Sequence, residues 1–282
     1  MSKMSQKNTE AKRNAREQML AERAAQEAKT QRLKKLGVIG TVLAVLVVAV
    51  VVGILVMNSK STPYSASQAP AGTIGTNNLV IPVGATNAPS TLTVYEDPRC
   101  PACGEFEKDF HTTVNQLLSQ GKIQVHYHVV SFIDSHDQGS GSKNAANALA
   151  CAQNVGRFHA YHDVLYANQP QETDDAWADK SKLITLSKQV SGLDTPTFET
   201  CVNSNTFKPW VTAVETDFDK SGYTSTPTIL LNGTTAYPTY KGANLTTAEL
   251  VSAVDAANKG KTLGTLTPAS ASALATPNPS TS

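Results

Sequence analysis

Apolar residues recur along this chain with different periods, and each period marks a different kind of segment. Residues 36–57 are 22 consecutive uncharged, mostly aliphatic residues. At about 1.5 Å rise per residue such a helix spans about 33 Å, enough to cross a bilayer core. Residues 79–81 and 91–95 are short apolar runs that predict strands. Pro82 places the first at a sheet edge, because proline cannot donate to a ladder. Over residues 105–120 the period lengthens. Phe106, Phe110, Val114, Leu117 and Leu118 fall on one helical face, and Gly121 supplies a stop. Residues 123–129 then alternate for most of their length, which predicts a third strand, parallel to the second by a right-handed crossover.

Residues 134–142 read as a polar, Gly/Ser-rich loop. From 143 to 221 only helical patterns occur, near 143–155, 157–167, 180–191, 196–203 and 207–220. This block separates two strand regions and reads as a helical insertion. Residues 228–231, the pair Asn232-Gly233 and a strand around 234–240 predict a hairpin with a type I′ turn. Thr246 and Glu249 form a capping box for a last helix, 247–259, which Gly260 ends. The pattern therefore predicts one α/β domain over 78–260. It is preceded by a basic helical segment (1–35), a membrane span (36–57) and a Ser/Ala/Thr/Gly linker (58–77). An Ala/Thr/Ser/Pro-rich tail (261–282) is expected to be disordered.

Charge sets the orientation. The net charge of +1 hides a balance of +6 over residues 1–35, with ten Lys/Arg and four Glu, and of −5 over residues 58–282, with fourteen Lys/Arg and nineteen Asp/Glu. Arg32, Lys34 and Lys35 precede the apolar run and only Lys60 follows closely, so the N-terminus is expected in the cytoplasm and the domain outside. A cleaved signal peptide is the competing reading, but its apolar region runs about 7–15 residues behind a short basic start. The mildly acidic domain offers no basic face for nucleic acid. All four cysteines follow the apolar run, as suits an oxidising compartment.

The chemistry centres on Cys100-Pro101-Ala102-Cys103, placed between a predicted strand and a predicted helix. A helix N-terminus presents free N–H groups and a positive dipole end, both of which favour a thiolate at Cys100. Pro101 suits the first helical position, where no N–H is needed. Cys103, one turn later, is expected to be more buried and to resolve a mixed disulfide. Half a zinc site is the alternative. It needs two more ligands at paired spacing, and Cys151, Cys201, His126-x-His128 and His159-x-x-His162 do not supply them. Arg99 either adds positive charge or points to water, and Glu96 and Asp97 are either simple surface carboxylates or caps, or proton acceptors for Cys103. Thr226-Pro227-Thr228, ahead of an apolar strand, is a second unusual element, since Pro227 enters a strand without a donor.

These elements together resemble the DsbA-like thioredoxin-fold oxidoreductases, in particular membrane-anchored actinobacterial forms. The resemblance covers residues 78–260. It rests on Asp97-Pro98-Arg99-Cys100-Pro101-Ala102-Cys103-Gly104-Glu105-Phe106-Glu107, the helical insertion and Thr226-Pro227-Thr228. It implies a thioredoxin fold with an inserted helical domain, a nucleophilic Cys100, a resolving Cys103, and a cis Pro227 beside the thiols whose neighbour Thr226 offers backbone to an extended substrate. It also implies a structural Cys151–Cys201 disulfide within the insertion and no cofactor. The best-known members carry His where this chain has Ala102. Without that cation, the Cys100 pKa is expected between about 3.5 and 7.

The function expected is a membrane-tethered, extracytoplasmic dithiol oxidase. It acts on reduced exported proteins and is recharged by a quinone-linked membrane partner. A reductase or isomerase of the same fold and a non-enzymatic scaffold with a relic motif are the alternatives.

Overall fold

The structure is a computed structural model, described here for residues 64–268, 271 and 274. The expected cytoplasmic segment, the membrane span at 36–57 and the start of the linker lie outside the described residues, as do residues 275–282. Among the described residues no helix is long and apolar enough to cross a membrane.

A five-stranded mixed sheet forms the centre, in the order β1–β3–β2–β4–β5. The strands are β1 (Ile81–Gly84), β2 (Ser90–Glu96), β3 (Ile123–Val129), β4 (Thr228–Leu231) and β5 (Thr234–Tyr237). β2 and β3 run parallel, with Val94 opposite Tyr127, and the other neighbours are antiparallel. Helix α1 (Pro101–Ser119) makes the β2–β3 crossover and buries Phe106, Phe110, Val114, Leu117 and Leu118. The insertion follows as α2 (Phe132–His136), α3 (Gly141–Asn154), α4 (Phe158–Ala167), α5 (Lys180–Ser187), α6 (Pro196–Ser204) and α7 (Lys208–Ser221). A small ribbon of β6 (Thr239–Tyr240) and β7 (Ala243–Asn244) precedes α8 (Thr247–Asn258).

α3 is the hub of the insertion. Ala145, Ala146, Ala148, Leu149, Ala150 and Ala152 are wholly buried. Side chains this small let α4, α6 and α7 pack close around it. Trp177 and Trp210 are core residues, and the Trp210 indole N–H is satisfied by the Asn78 carbonyl at 2.8 Å.

Four local expectations shift. The first strand begins at Ile81, and Val80 forms only an isolated bridge with Ile74. Phe132–His136 is a short helix that overlaps the start of the expected loop at 134–142. The helix expected to reach 191 ends at Ser187 and gives way to turns. The hairpin strand expected to reach 240 stops at Tyr237, because Pro238 has no N–H to continue the ladder. The Asn232-Gly233 turn has both residues at positive φ, 50° and 81°, as a type I′ turn requires.

The tail expected to be free from 261 is pinned at its start. Gly264 N–H donates to the Gly121 carbonyl at 2.8 Å and Thr265 N–H to Asn87 Oδ1 at 3.0 Å. Gly121 sits at φ 65°, and a Cβ there would strike the Gly264 carbonyl. Two glycines let the backbones meet, which composition alone does not reveal.

Candidate active site

The thiol pair sits where β2 hands over to α1. Cys100 is the N-cap of α1 in an extended conformation, and Pro101 opens the helix. The Cys100 N–H donates to the Asp97 carbonyl at 2.9 Å, which closes the turn after the strand. Both cysteines are free thiols and both are buried. With Ile133 they form a small apolar cluster, walled by Ala102, Phe132 and Tyr166. Phe106 instead joins the main core, stacked on Phe110 and edge-on to Tyr237.

The Thr226–Pro227 peptide is cis, and the Thr226 carbonyl lies 3.3 Å from Cys100 Sγ. A protonated Cys100 donates to that carbonyl, whereas the Thr226 hydroxyl favours the thiolate. The net result is a Cys100 pKa lowered to about 6. A hydrogen bond from the Cys103 thiol is the largest cause. Burial opposes it, and the Thr226 side chain and the N–H groups of Cys103 and Ala102 add to it. Cys103 moves the other way, well above its ordinary value. Burial raises it first, then its hydrogen bond to Cys100 and the Cys100 and Glu96 charges. The pair is thus polarised into one sulfur that ionises readily and one that holds its proton.

Arg99 neither faces the thiolate nor points to water. Its guanidinium is buried and meets Asp134 at 2.7 Å and Asp175 at 3.2 Å, and donates to the Glu172 carbonyl at 2.7 Å. Those carboxylates also bind the start of α3. Asp134 accepts from the N–H groups of Ser142 and Lys143, and Asp175 from those of Ser140 and Gly141. Arg99 therefore staples the thiol loop to the insertion. Gln169 Nε2 adds a second brace, donating to the Pro98 and Cys100 carbonyls at 2.7 and 2.9 Å. Gly104 leaves room for that side chain, since a Cβ there would collide with Gln169 Oε1.

The two candidate acids separate. Asp97 is committed to structure, accepting from the Arg99 and Ile133 N–H groups at 2.8 Å each, although burial still raises its pKa to about 7. Glu96 points inward, hydrogen-bonded to His162 Nε2 at 2.7 Å, and its charge acts on Cys103. His162 stays strongly basic: burial works against its charge, but the Glu96 and Glu107 carboxylates outweigh burial. Sequence reasoning treated the His159/His162 pair as chance and missed Glu107. Glu107 was visible in principle, lying four residues after Cys103 on the same helix face.

Cys151 and Cys201 are joined as a disulfide between α3 and α6, far along the chain from the thiol pair.

Comparison with known proteins agrees with this geometry. The thioredoxin family model matches residues 76–256. The disulfide bond formation protein D of Bacillus subtilis is 27% identical over 156 residues, 53% of this chain and 66% of that protein. A serine/threonine-protein kinase, PknE of Mycobacterium tuberculosis, is 26% identical over 150 residues, 51% of this chain. The chain spans about a quarter (26%) of the length of that kinase. Among solved structures, reduced DsbA of M. tuberculosis is 25% identical with a TM-score of 0.54, covering 70% of this chain and 98% of that one. Reduced DsbG of M. tuberculosis is 27% identical with a TM-score of 0.54, covering 70% and 93%. A strand–CxxC–helix core, a helical insertion and a proline loop facing the first cysteine are thus accompanied by a family match over most of the domain, and the chain belongs to the thioredoxin family, among its DsbA-like thiol–disulfide oxidoreductases.

Proposed function

We propose that this chain is a membrane-tethered, extracytoplasmic dithiol oxidase that passes a Cys100–Cys103 disulfide to reduced exported proteins. The polarisation of the two sulfurs carries this reading. A client thiolate attacks Cys100 Sγ, the S–S bond breaks, and Cys103 leaves and takes up a proton, as its raised pKa favours. A second client thiolate then attacks the mixed disulfide. Cys100 leaves as a thiolate, and a thiol with a pKa of about 6 is a good leaving group. The client segment lies against the Thr226 backbone, beside the nucleophile. The resulting dithiol is reoxidised by a membrane partner that accepts two electrons and two protons, a quinone-linked protein in this proposal. The apolar run at 36–57 supplies the tether, and the basic residues before it keep the N-terminus in the cytoplasm.

A reductase is the second reading, and Ala102 favours it. No cation stands between Pro101 and Cys103, and the charge of Arg99 is neutralised by Asp134 and Asp175. Trapping in cells separates the two. Cys103→Ala holds clients on Cys100 as mixed disulfides, which non-reducing gels and mass spectrometry identify. An oxidase gives exported clients and a wild-type pair that is mainly disulfide after acid quenching. A wild-type pair that is mainly dithiol sinks the oxidase, and the absence of any trapped protein sinks both readings.

A further inference from the structure

Three side chains outside the thiol pair converge behind it. Glu96 ends β2, Glu107 lies on α1 and His162 on α4. Their exposures are 1%, 8% and 0%. One donor atom from each lies within 4.8 Å of the other two. Donors that share an ion at about 2.0–2.2 Å stand up to about 4.4 Å apart, so small side-chain rotations close the set.

An internal Glu96–His162 ion pair accounts for only part of this cluster. It satisfies Glu96 Oε1 and His162 Nε2 at 2.7 Å. Glu96 Oε2 has no hydrogen-bond partner among the described residues, and His162 Nδ1 and His159 Nε2 face the Asp163 carboxylate only at 3.5 and 4.0 Å. Buried polar atoms are rarely left this way, and a group of them asks for a ligand.

We propose that Glu96, Glu107 and His162 form a binding site for one borderline divalent transition-metal ion, of which Zn²⁺ is the representative. Two carboxylate oxygens with one imidazole nitrogen suit Zn²⁺, Mn²⁺ or Fe²⁺. The imidazole disfavours Ca²⁺ and Mg²⁺, which take oxygen donors, and no thiolate is present to select Cu(I). Three protein donors leave a coordination position for water. Asp163, adjacent to His162 and 3.5 Å from its Nδ1, is placed to hold the ring from behind, the usual arrangement for a liganding histidine. Entry is available, because Glu107 and Asp163 both line a cavity of about 1210 Å³ beside α1. The site is independent of the direction in which the thiol pair works. An ion there opposes the Glu96 charge that now acts on Cys103.

The test uses the full chain with Cys100–Cys103 held as the disulfide, so that the thiols cannot take metal. After chelator treatment the protein is dialysed against Zn²⁺ or Ca²⁺, and bound metal is counted by plasma mass spectrometry. The expected result is one Zn²⁺ per chain, weakened at least about tenfold in Glu107→Gln and unchanged in His136→Ala, which alters an exposed histidine. Preference for Ca²⁺, or equal loss in both variants, overturns the assignment. Co²⁺ added to the unmutated protein gives a second readout that does not depend on any variant folding. Visible d–d bands without a thiolate charge-transfer band support the site, and a featureless spectrum refutes it.

Discussion

The Cys103 thiol is the largest cause of the lowered Cys100 pKa, so replacing Cys103 tests the polarisation directly. The lowering runs from an ordinary value of 9.0 to about 6. That is about 4 kcal/mol in favour of the thiolate at about 1.36 kcal/mol per pH unit. A hydrogen bond to a charged group contributes about 1.5–3 kcal/mol, or about 1–2 pH units. Cys103→Ala removes the donor and is expected to move the Cys100 midpoint to about 7–8. Cys103→Ser keeps a donor and stays near that of the reduced parent protein. The assay is the pH dependence of Cys100 alkylation by iodoacetamide, read by peptide mass. If serine and alanine give the same midpoint, the hydrogen bond is not the cause. The sign of the wider consequence follows. A folded-state pKa below the unfolded one stabilises the reduced form most above about pH 9, and that stabilisation is lost as pH falls through about 6. At pH 7 about 1.4 kcal/mol remains, equivalent to about 30 mV toward the oxidising side.

Three further outcomes are expected. Arg99→Met leaves the buried Asp134 carboxylate without its cation and costs about 3–5 kcal/mol in urea unfolding, while the Cys100 alkylation midpoint stays near 6 because Arg99 does not contact the thiol; a shifted midpoint with unchanged stability contradicts the stapling role. Replacing Cys151 and Cys201 by serine opens a loop with a sequence separation of 50 and costs up to about 4 kcal/mol on the chain-entropy model, measured in the same way. In chelator, Glu107→Gln is expected to gain stability over the parent as pH rises from 4.5 toward about 8. Over that window the folded parent must either keep Glu107 protonated or bury its charge. A gain that shrinks with rising pH argues against a buried neutral acid.

What was legible in the chain was local. The α1 stripe, the type I′ pair Asn232-Gly233 and the Thr246/Glu249 capping box are written in residues a few positions apart, and each appears in the structure. What was illegible joins distant segments. Arg99 reaches Asp134 and Asp175, Glu96 reaches His162, and Gln169 reaches Cys100. No periodicity marks such pairs, because each partner looks like a solvated polar residue until the insertion folds over the thiol loop. Arg99 shows the cost of reading charge one-dimensionally: its neighbour in sequence is Cys100, but its electrostatic partners come from the insertion.

The Gly104–Gln169 crossing limits how such proteins can be recombined. Gln169 occupies the volume that any larger residue at 104 would need, and it holds the carbonyl of the nucleophile itself. The inserted helices are therefore not a detachable cap. Transplanting them from a homologue with a different residue at 169 would remove the two hydrogen bonds that Gln169 donates to the catalytic turn.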